Sequence, residues 1–152
     1  MSLILFVCTG NICRSPMAEG LLRHRLAQQG LSNRHRVASA GVWALDGHAA
    51  SEHSIAVMAE RDIEIGHHIA HTITAGDVAE AELILVMSRE HQEIIRSTWP
   101  QYGWKVFRLS EMAGKRRDVR EPYGGPIDEY RSCADTIEEY LDRGYDRILD
   151  LA

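Results

Sequence analysis

Hydrophobic residues along the chain form short continuous runs that alternate with amphipathic stretches. The first run, Leu3-Ile4-Leu5-Phe6-Val7, contains no polar residue, which is typical of a central strand buried on both faces of a parallel sheet. Further strands are predicted at 36–40, 83–87 and 106–109, and helices at 48–61, 88–97 and 127–143. This alternation predicts one α/β domain over residues 1–152, with a doubly wound, parallel, four-stranded sheet and helices on both faces.

A short polar segment separates the first strand from the first helix. Ser15 is predicted to cap that helix, with Pro16 at its first position. An apolar stripe follows the cap, and Gly30 is predicted to end the helix; the stripe consists of Met17, Leu21, Leu22 and Leu26. Ligands of such sheets bind at the carboxyl ends of the strands, so a ligand-binding site is predicted at the loop after strand 1.

Charge and cysteine content exclude several classes of protein. The 152 residues include 17 Lys+Arg and 22 Asp+Glu, a net charge of −5, which argues against a general nucleic-acid binder. The one basic run, Lys115-Arg116-Arg117, is too short to change this. The apolar amino terminus is too brief for a signal peptide or a membrane span. Three cysteines, an odd number, favour a reducing, cytoplasmic location over a disulfide framework.

The loop after strand 1 carries a cysteine and an arginine, Cys8 and Arg14, separated by five residues. A loop of this length can turn successive backbone N–H groups toward one centre, adding to the positive end of the following helix. The planar guanidinium of Arg14 can bind two oxygens of a phosphate or another oxyanion at once. The spacing predicts a phosphate-binding loop with Cys8 at its base, in surroundings that favour a thiolate.

The run Val7-Cys8-Thr9-Gly10-Asn11-Ile12-Cys13-Arg14-Ser15-Pro16-Met17-Ala18-Glu19 resembles the active-site loop of the low-molecular-weight protein tyrosine phosphatases. Two later segments fall where that family has related motifs: Ser39-Ala40-Gly41 and Glu121-Pro122-Tyr123-Gly124-Gly125. The resemblance implies a protein phosphatase without a cofactor, acting on phosphotyrosine in proteins through a phosphocysteine intermediate. It implies Cys8 as nucleophile, Arg14 as phosphate clamp and Ser15 as a hydrogen-bond donor to the sulfur.

The resemblance also implies roles for residues around the nucleophile. The phosphate would be surrounded by the loop residues Thr9, Gly10, Asn11, Ile12 and Cys13. Asn11, Ser39 and His68 would support the loop through hydrogen bonds, although Ser39 could simply end a strand and His68 could belong to a polar loop with His67 and His71. Trp43 and Tyr123 resemble aromatic residues beside the substrate ring, with ordinary partial burial as the alternative for Trp43.

A phenol leaves poorly as an anion, because its pKa is near ~10, so a general acid must protonate it. The family supplies an Asp followed by Pro, whereas this sequence has Glu121-Pro122, with Asp118 three residues earlier. Glutamate has the same chemistry on an arm longer by about 1.5 Å. We therefore predict Glu121 as the general acid and base, with Asp118 as the alternative.

Two alternatives each are left for the substrate and for the role of the second loop cysteine, Cys13. Gly124-Gly125 and Tyr130 resemble a bacterial branch that includes protein arginine phosphatases, in which threonine occupies the position of Ile12. Isoleucine has no hydrogen-bonding group, so phosphotyrosine is favoured and phosphoarginine is the alternative. The resemblance further implies that Cys13 could form a reversible disulfide with Cys8, protecting it from irreversible oxidation; a packed thiol is the other reading.

Three other classes fit less well. An arsenate reductase shares the loop and fold but usually needs further cysteines, and only Cys133, on a predicted helix, lies outside the loop. A non-catalytic phosphate-binding module would have little reason to keep Cys8 together with a carboxylate loop. A metal site lacks ligands, because Cys8 and Cys13 have no second ligand pair and His67 with His71 makes half a site at most.

Overall fold

Four parallel strands form the sheet in the computed structural model, which describes residues 1–152. They are β1 (Ser2–Cys8), β2 (His35–Gly41), β3 (Leu83–Val86) and β4 (Val106–Arg108). Their spatial order is β2-β1-β3-β4, so β1 pairs with both β2 and β3. The predicted parallel sheet is confirmed, although β4 stops before Leu109 because that residue begins a helix.

Seven α-helices and a short 3-10 helix (Pro100–Lys105) connect and cover the strands. The α-helices are α1 (Arg14–Gln28), α2 (Glu52–Ala59), α3 (Ala75–Glu80), α4 (Arg89–Thr98), α5 (Leu109–Met112), α6 (Ile127–Arg143) and α7 (Tyr145–Leu151). Helix α6 has the predicted bounds. Helices α3, α5 and α7 were not predicted, because helices of four to seven residues are too short to show a clear period in the sequence.

Successive residues of β1 point to opposite faces of the sheet, and each face is covered by helices. Ile4 and Phe6 belong to a core that includes residues of α1, α2 and α6. Leu5 and Val7 belong to a second core with Val78 of α3 and α4 residues. The doubly wound arrangement is therefore confirmed, and it explains why residues 3–7 of β1 are all apolar.

The start of α1 differs from the prediction. The helix begins at Arg14, with Cys13 at the N-cap and no side-chain hydrogen bond there. Ser15 does not cap the helix because its hydroxyl lies 2.9 Å from the Cys8 sulfur and 2.8 Å from Asn11 Nδ2. Pro16 is consequently at the third position, where its missing N–H costs no helical hydrogen bond.

The second predicted helix is shorter than the 48–61 that the sequence indicated. Helix α2 begins at Glu52 because Ser51 caps it, accepting a hydrogen bond of 3.2 Å from the Ser54 N–H. The preceding residues pair with another segment instead: the His48 carbonyl accepts from the Ala70 N–H at 2.8 Å. The segments after β2 and before α3 are thereby held together beside the phosphate-binding loop.

Strand β2 ends against this loop at Gly41. A Cβ atom at Gly41 would lie 2.5 Å from the Thr9 carbonyl oxygen and 3.1 Å from the Asn11 Cβ. Real side chains do not approach a backbone oxygen this closely. Glycine therefore allows β2 to lie against the loop that follows β1.

Helix α4 begins with a capping box formed by Ser88 and the buried His91. The Ser88 N–H donates to His91 Nδ1 at 3.1 Å, so Nε2 carries the ring proton and donates to Thr9 Oγ1 at 2.8 Å. Burial lowers the pKa of His91 to about 4, with a further contribution from Arg14 and an opposing one from Asp118. A neutral histidine thus joins α4 to the loop.

We predict that replacing His91 weakens the acid sensitivity of the fold. The pKa of His91 is lower in the folded state, about 4 against 6.5, so the unfolded chain gains the proton first and stability is lost as the pH falls below 6.5. Between pH 7 and 5 this amounts to about 2 kcal/mol. In urea denaturation, the free energy of unfolding of His91→Gln should fall by about 2 kcal/mol less between pH 7 and 5 than that of the wild type. The exposed control His67→Gln should lose as much stability over this range as the wild type. An unchanged pH dependence in His91→Gln would contradict the assignment.

Candidate active site

The backbone of the loop between β1 and α1 turns its carbonyl groups outward. Each carbonyl from Cys8 to Cys13 accepts a hydrogen bond of 2.7–3.3 Å from a neighbouring segment or from the first turn of α1; the donors are the backbone N–H groups of Val42, Trp43, Leu45, Ser51 and Met17 and the ring of His68. In contrast, the N–H groups of residues 9–15 donate to no acceptor in the protein. Such an array of free donors fits an oxyanion.

Asn11 supports this turn from behind the loop. It is fully buried, and its φ of 60° lies in the left-handed region, which asparagine tolerates better than most residues. Its amide nitrogen donates to Ser15 at 2.8 Å and to Ser39 at 3.0 Å, its side-chain oxygen accepts from the His71 N–H, and His68 binds its carbonyl. The structure thus brings Asn11, Ser39 and His68 together, with the Asn11 side chain directed away from the open cleft.

The direction of these hydrogen bonds determines what Ser15 can offer to Cys8. Ser39 donates to a Glu19 oxygen at 2.6 Å, so it accepts from Asn11. Asn11 also donates to Ser15, which leaves the Ser15 proton for the Cys8 sulfur, 2.9 Å away. The role of Glu19 was not predicted; the only signal for it in the sequence is its position one helical turn after Ser15.

Arg14 lies beneath the loop with 5% of its side chain exposed. Its Nη1 donates to the Val119 carbonyl at 2.9 Å, and its Nη2 to Glu121 at 2.8 Å and to Thr9 at 3.4 Å. The buried Nε has no partner in the protein. A buried guanidinium group with a nitrogen that lacks a partner is suited to bind an anion held by the loop.

Glu121 lies at the edge of the same site. One carboxylate oxygen pairs with Arg14 and the other accepts from the Tyr123 N–H at 3.1 Å. Asp118, the alternative acid, instead accepts from the Arg89 N–H at 2.9 Å and from Arg108 at 3.3 Å, and it does not line the cleft. The geometry therefore favours Glu121 for chemistry and gives Asp118 a structural role at the start of α4.

A cleft of about 280 Å³ opens over the loop. Its walls are mainly apolar and are formed by Cys8, Thr9, Gly10, Ile12, Cys13, Trp43, Leu45, Glu121 and Tyr123. Trp43 and Tyr123 are each 65% exposed, whereas Ile12 is 9% exposed. Leu45 was not identified from the sequence, where its only signal was its place two residues after Trp43.

The other two cysteines are packed thiols. Burial raises the pKa of Cys13, whose sulfur lies 3.6 Å from the Ser51 hydroxyl and 3.7 Å from the Tyr130 hydroxyl. Burial also raises the pKa of Cys133 to about 12, which does not suit a redox relay. All three cysteines are free in this structure, and a disulfide between Cys8 and Cys13 stays a prediction.

The histidines near the loop are engaged with protein groups. His71 Nε2 lies 3.2 Å from Asp77, and His68 binds the loop as described. No group of three or more His, Cys, Asp or Glu side chains is arranged to hold a metal ion. None of the helices combines the length and apolar composition needed to cross a membrane.

Comparison with known proteins identifies relatives over nearly the full length. The family model described as low molecular weight phosphotyrosine protein phosphatase matches residues 3–148. The chain is 40% identical to the protein-arginine-phosphatase of Bacillus subtilis over 139 residues, 91% of each chain. It is 41% identical to the low molecular weight protein-tyrosine-phosphatase Ptp of Acinetobacter johnsonii over 120 residues, 79% of each chain.

A solved structure resembles this fold closely. It is a cysteine-to-serine variant of the YwlE arginine phosphatase with a phosphorylated active-site serine, and it matches with a TM-score of 0.90 and 38% identity over 97% of this chain and 95% of that one. Three findings indicate the same family: a family model that covers almost the whole chain, relatives at about 40% identity, and a solved structure with the same fold. The protein therefore belongs to the low molecular weight phosphotyrosine protein phosphatase family of hydrolases.

Proposed function

We propose that this protein hydrolyses phosphotyrosine in proteins through a phosphocysteine intermediate on Cys8. The observation that carries the proposal is the set of unpaired N–H groups of residues 9–15 around Cys8, with the buried Arg14 beside them. The phosphorylated active-site serine in the YwlE variant supports it, because that side chain replaces a cysteine in a protein of the same fold.

In the first step, the Cys8 thiolate attacks phosphorus. The sulfur–phosphorus bond forms while the bond between phosphorus and the ester oxygen breaks. Glu121, on the cleft wall, gives its proton to the departing phenol oxygen. The loop N–H groups and Arg14 stabilise the negative charge on the transferring phosphoryl oxygens.

In the second step, water attacks the phosphorus of the phosphocysteine. Glu121, now a carboxylate, takes a proton from that water as the sulfur–phosphorus bond breaks. The Cys8 sulfur leaves as a thiolate, stabilised by the hydrogen bond that the Ser15 hydroxyl can donate over 2.9 Å. Inorganic phosphate and the free enzyme result, and no cofactor takes part.

The shape and polarity of the cleft favour an aromatic phosphoester. Trp43, Leu45 and Tyr123 form an apolar rim that can contact a phenyl ring. Ile12 presents no donor or acceptor to a guanidinium group. These features favour phosphotyrosine as the first substrate class. Phosphate, as the product, or a similar oxyanion, as an inhibitor, is expected to bind in the same loop.

Phosphoarginine in proteins is the second candidate substrate. The specific observation in its favour is the similarity to the arginine phosphatase of Bacillus subtilis, at 40% identity. The carboxylate of Glu121 could also pair with a substrate guanidinium group. We rank it second because of Ile12 and the apolar rim.

We further propose that the protein acts in the cytoplasm on phosphorylated proteins, without binding nucleic acid or membranes. Three free, buried cysteines support a reducing compartment. The net charge of −5 opposes general binding to nucleic acid.

Replacing the nucleophile should abolish turnover while the fold persists. We expect Cys8→Ser to hydrolyse p-nitrophenyl phosphate at least about 10³-fold more slowly than the wild type, in a continuous absorbance assay. The control Cys133→Ala removes a buried thiol of α6 that does not belong to the loop or line the cleft and should keep most of the wild-type kcat. Equal activity of Cys8→Ser and wild type would refute the covalent route, and inactivity of both would favour a non-catalytic phosphate-binding module.

Replacing the carboxylate of Glu121 should reduce kcat far more than replacing that of Asp118. Glu121→Gln cannot protonate the leaving group, so we expect its kcat on an aryl phosphate to fall by about 10²–10⁴-fold. Asp118→Asn keeps an oxygen for the Arg89 N–H and should lose much less. Steady-state kinetics with leaving groups of different pKa would check this, since Glu121→Gln should lose least with the best leaving group. The reverse ranking of the two variants would move the role to Asp118.

The substrate class can be decided by direct competition of phosphopeptides. We expect kcat/KM for a phosphotyrosine peptide to exceed that for the matching phosphoarginine peptide, measured by release of inorganic phosphate. Ile12→Thr introduces a hydroxyl into the cleft and should shift the ratio toward phosphoarginine. Faster phosphoarginine hydrolysis by the wild type would overturn the argument from Ile12.

A further inference from the structure

Most cations on the surface are already neutralised within the protein. Arginines of α1, β2, α4 and α6 pair with nearby carboxylates, and Arg96 binds backbone carbonyls. The arginines without a carboxylate within 4.0 Å and without a side-chain hydrogen bond are Arg34, Arg116, Arg117, Arg120 and Arg147. Three of these occur together, between α5 and Glu121. We call Arg116, Arg117 and Arg120 the basic patch; all three are exposed.

The backbone that carries the basic patch is held firmly. The buried Ser110 hydroxyl accepts from the Arg117 N–H at 2.9 Å and donates to the Arg117 carbonyl at 2.6 Å. The Val119 N–H donates to the Met87 carbonyl at 2.7 Å, and the Val119 carbonyl binds Arg14. Because this backbone is fixed, a ligand that pairs with these arginines orders only side chains.

The basic patch adjoins the cleft along the chain, although Arg120 itself lines a second cavity, with Glu129 of α6. Arg120 precedes Glu121, which lines the cleft, and Arg117 is four residues from it, at most about 14 Å along an extended chain. An extended peptide advances ~3.3 Å per residue, so a residue up to about four positions from the phosphorylated one can reach this patch. The phosphoryl group and the patch can therefore be occupied by one peptide.

We propose that the basic patch binds acidic residues that flank the phosphorylated residue of the substrate. The proposal rests on the proposed phosphatase function and specifies the sequence context of its substrate. A chain with a net charge of −5 repels acidic peptides in general. Unpaired arginines at this one edge supply local complementarity, which guides such peptides to the cleft and acts mainly on KM.

The test compares two phosphotyrosine peptides that differ only in Asp/Glu or Asn/Gln at the flanking positions. We expect the wild type to prefer the acidic peptide by about three- to tenfold in kcat/KM at low ionic strength, with most of the difference in KM. The preference should shrink at about 0.5 M salt, where the Debye length is far shorter than at low salt.

Variants assign the preference to the patch. Arg117→Gln/Arg120→Gln should lose it while keeping the wild-type rate on p-nitrophenyl phosphate, which has no flanking residues. Arg117→Lys/Arg120→Lys retains the charge and should keep the preference. The matched control Arg34→Gln/Arg147→Gln removes two exposed, unpaired arginines outside this segment and should also keep the preference.

Other outcomes would overturn the proposal. The first is an acidic preference that survives in Arg117→Gln/Arg120→Gln. The second is an equal loss of that preference in the Arg34→Gln/Arg147→Gln control. The third is a parallel fall in the activity of Arg117→Gln/Arg120→Gln on p-nitrophenyl phosphate and on both peptides. The last would show that the patch acts on Glu121 rather than on the peptide. A wild type that hydrolyses p-nitrophenyl phosphate without an acidic preference refutes the patch alone, whereas inactivity on every substrate refutes the phosphatase function as well.

Discussion

A peptide chain cannot turn several successive N–H groups toward one point without turning the corresponding carbonyl groups away from it. A buried carbonyl left unpaired costs about 1–3 kcal/mol, so the loop of residues 8–13 requires a donor outside it for nearly every carbonyl. Those donors come from the segments after β2, from the cap of α2, from His68 and from the first turn of α1. Much of the architecture at this end of the sheet therefore follows from the need to satisfy the outward-facing carbonyl groups of one loop.

The sequence alone predicts the elements whose causes are local. Residues 3–7 of β1 are all apolar because both faces of the strand are covered, and α6 shows its amphipathic period over seventeen residues. The starts of α1 and α2 could not be read in this way. Ser15 looks like a cap but is bound by Cys8 and Asn11, and His48 looks helical but pairs with Ala70 across the fold. In both places a tertiary partner replaces the local rule.

The same distinction applies within the site. Cys8 and Arg14 share one loop, so their spacing alone indicated anion binding, while the resemblance was needed to associate Glu121 with them from more than a hundred residues away. His91 had no such indication. It acts through Thr9, 82 positions earlier in the chain, and no pattern in the sequence connects the two. Such long-range polar contacts are set by packing, which composition and periodicity do not report.

Glu121 is carried by a fixed backbone, and both oxygens of its carboxylate are held by protein groups. The backbone around it is anchored by Val119, whose N–H and carbonyl are both bound, and by the buried Pro122. The carboxylate folds back so that one oxygen meets the Tyr123 N–H and the other meets Arg14. Arg14 uses Nη1 for the Val119 carbonyl and Nη2 for Glu121, so the contact with Val119 can hold the guanidinium group in place independently of the contact with Glu121.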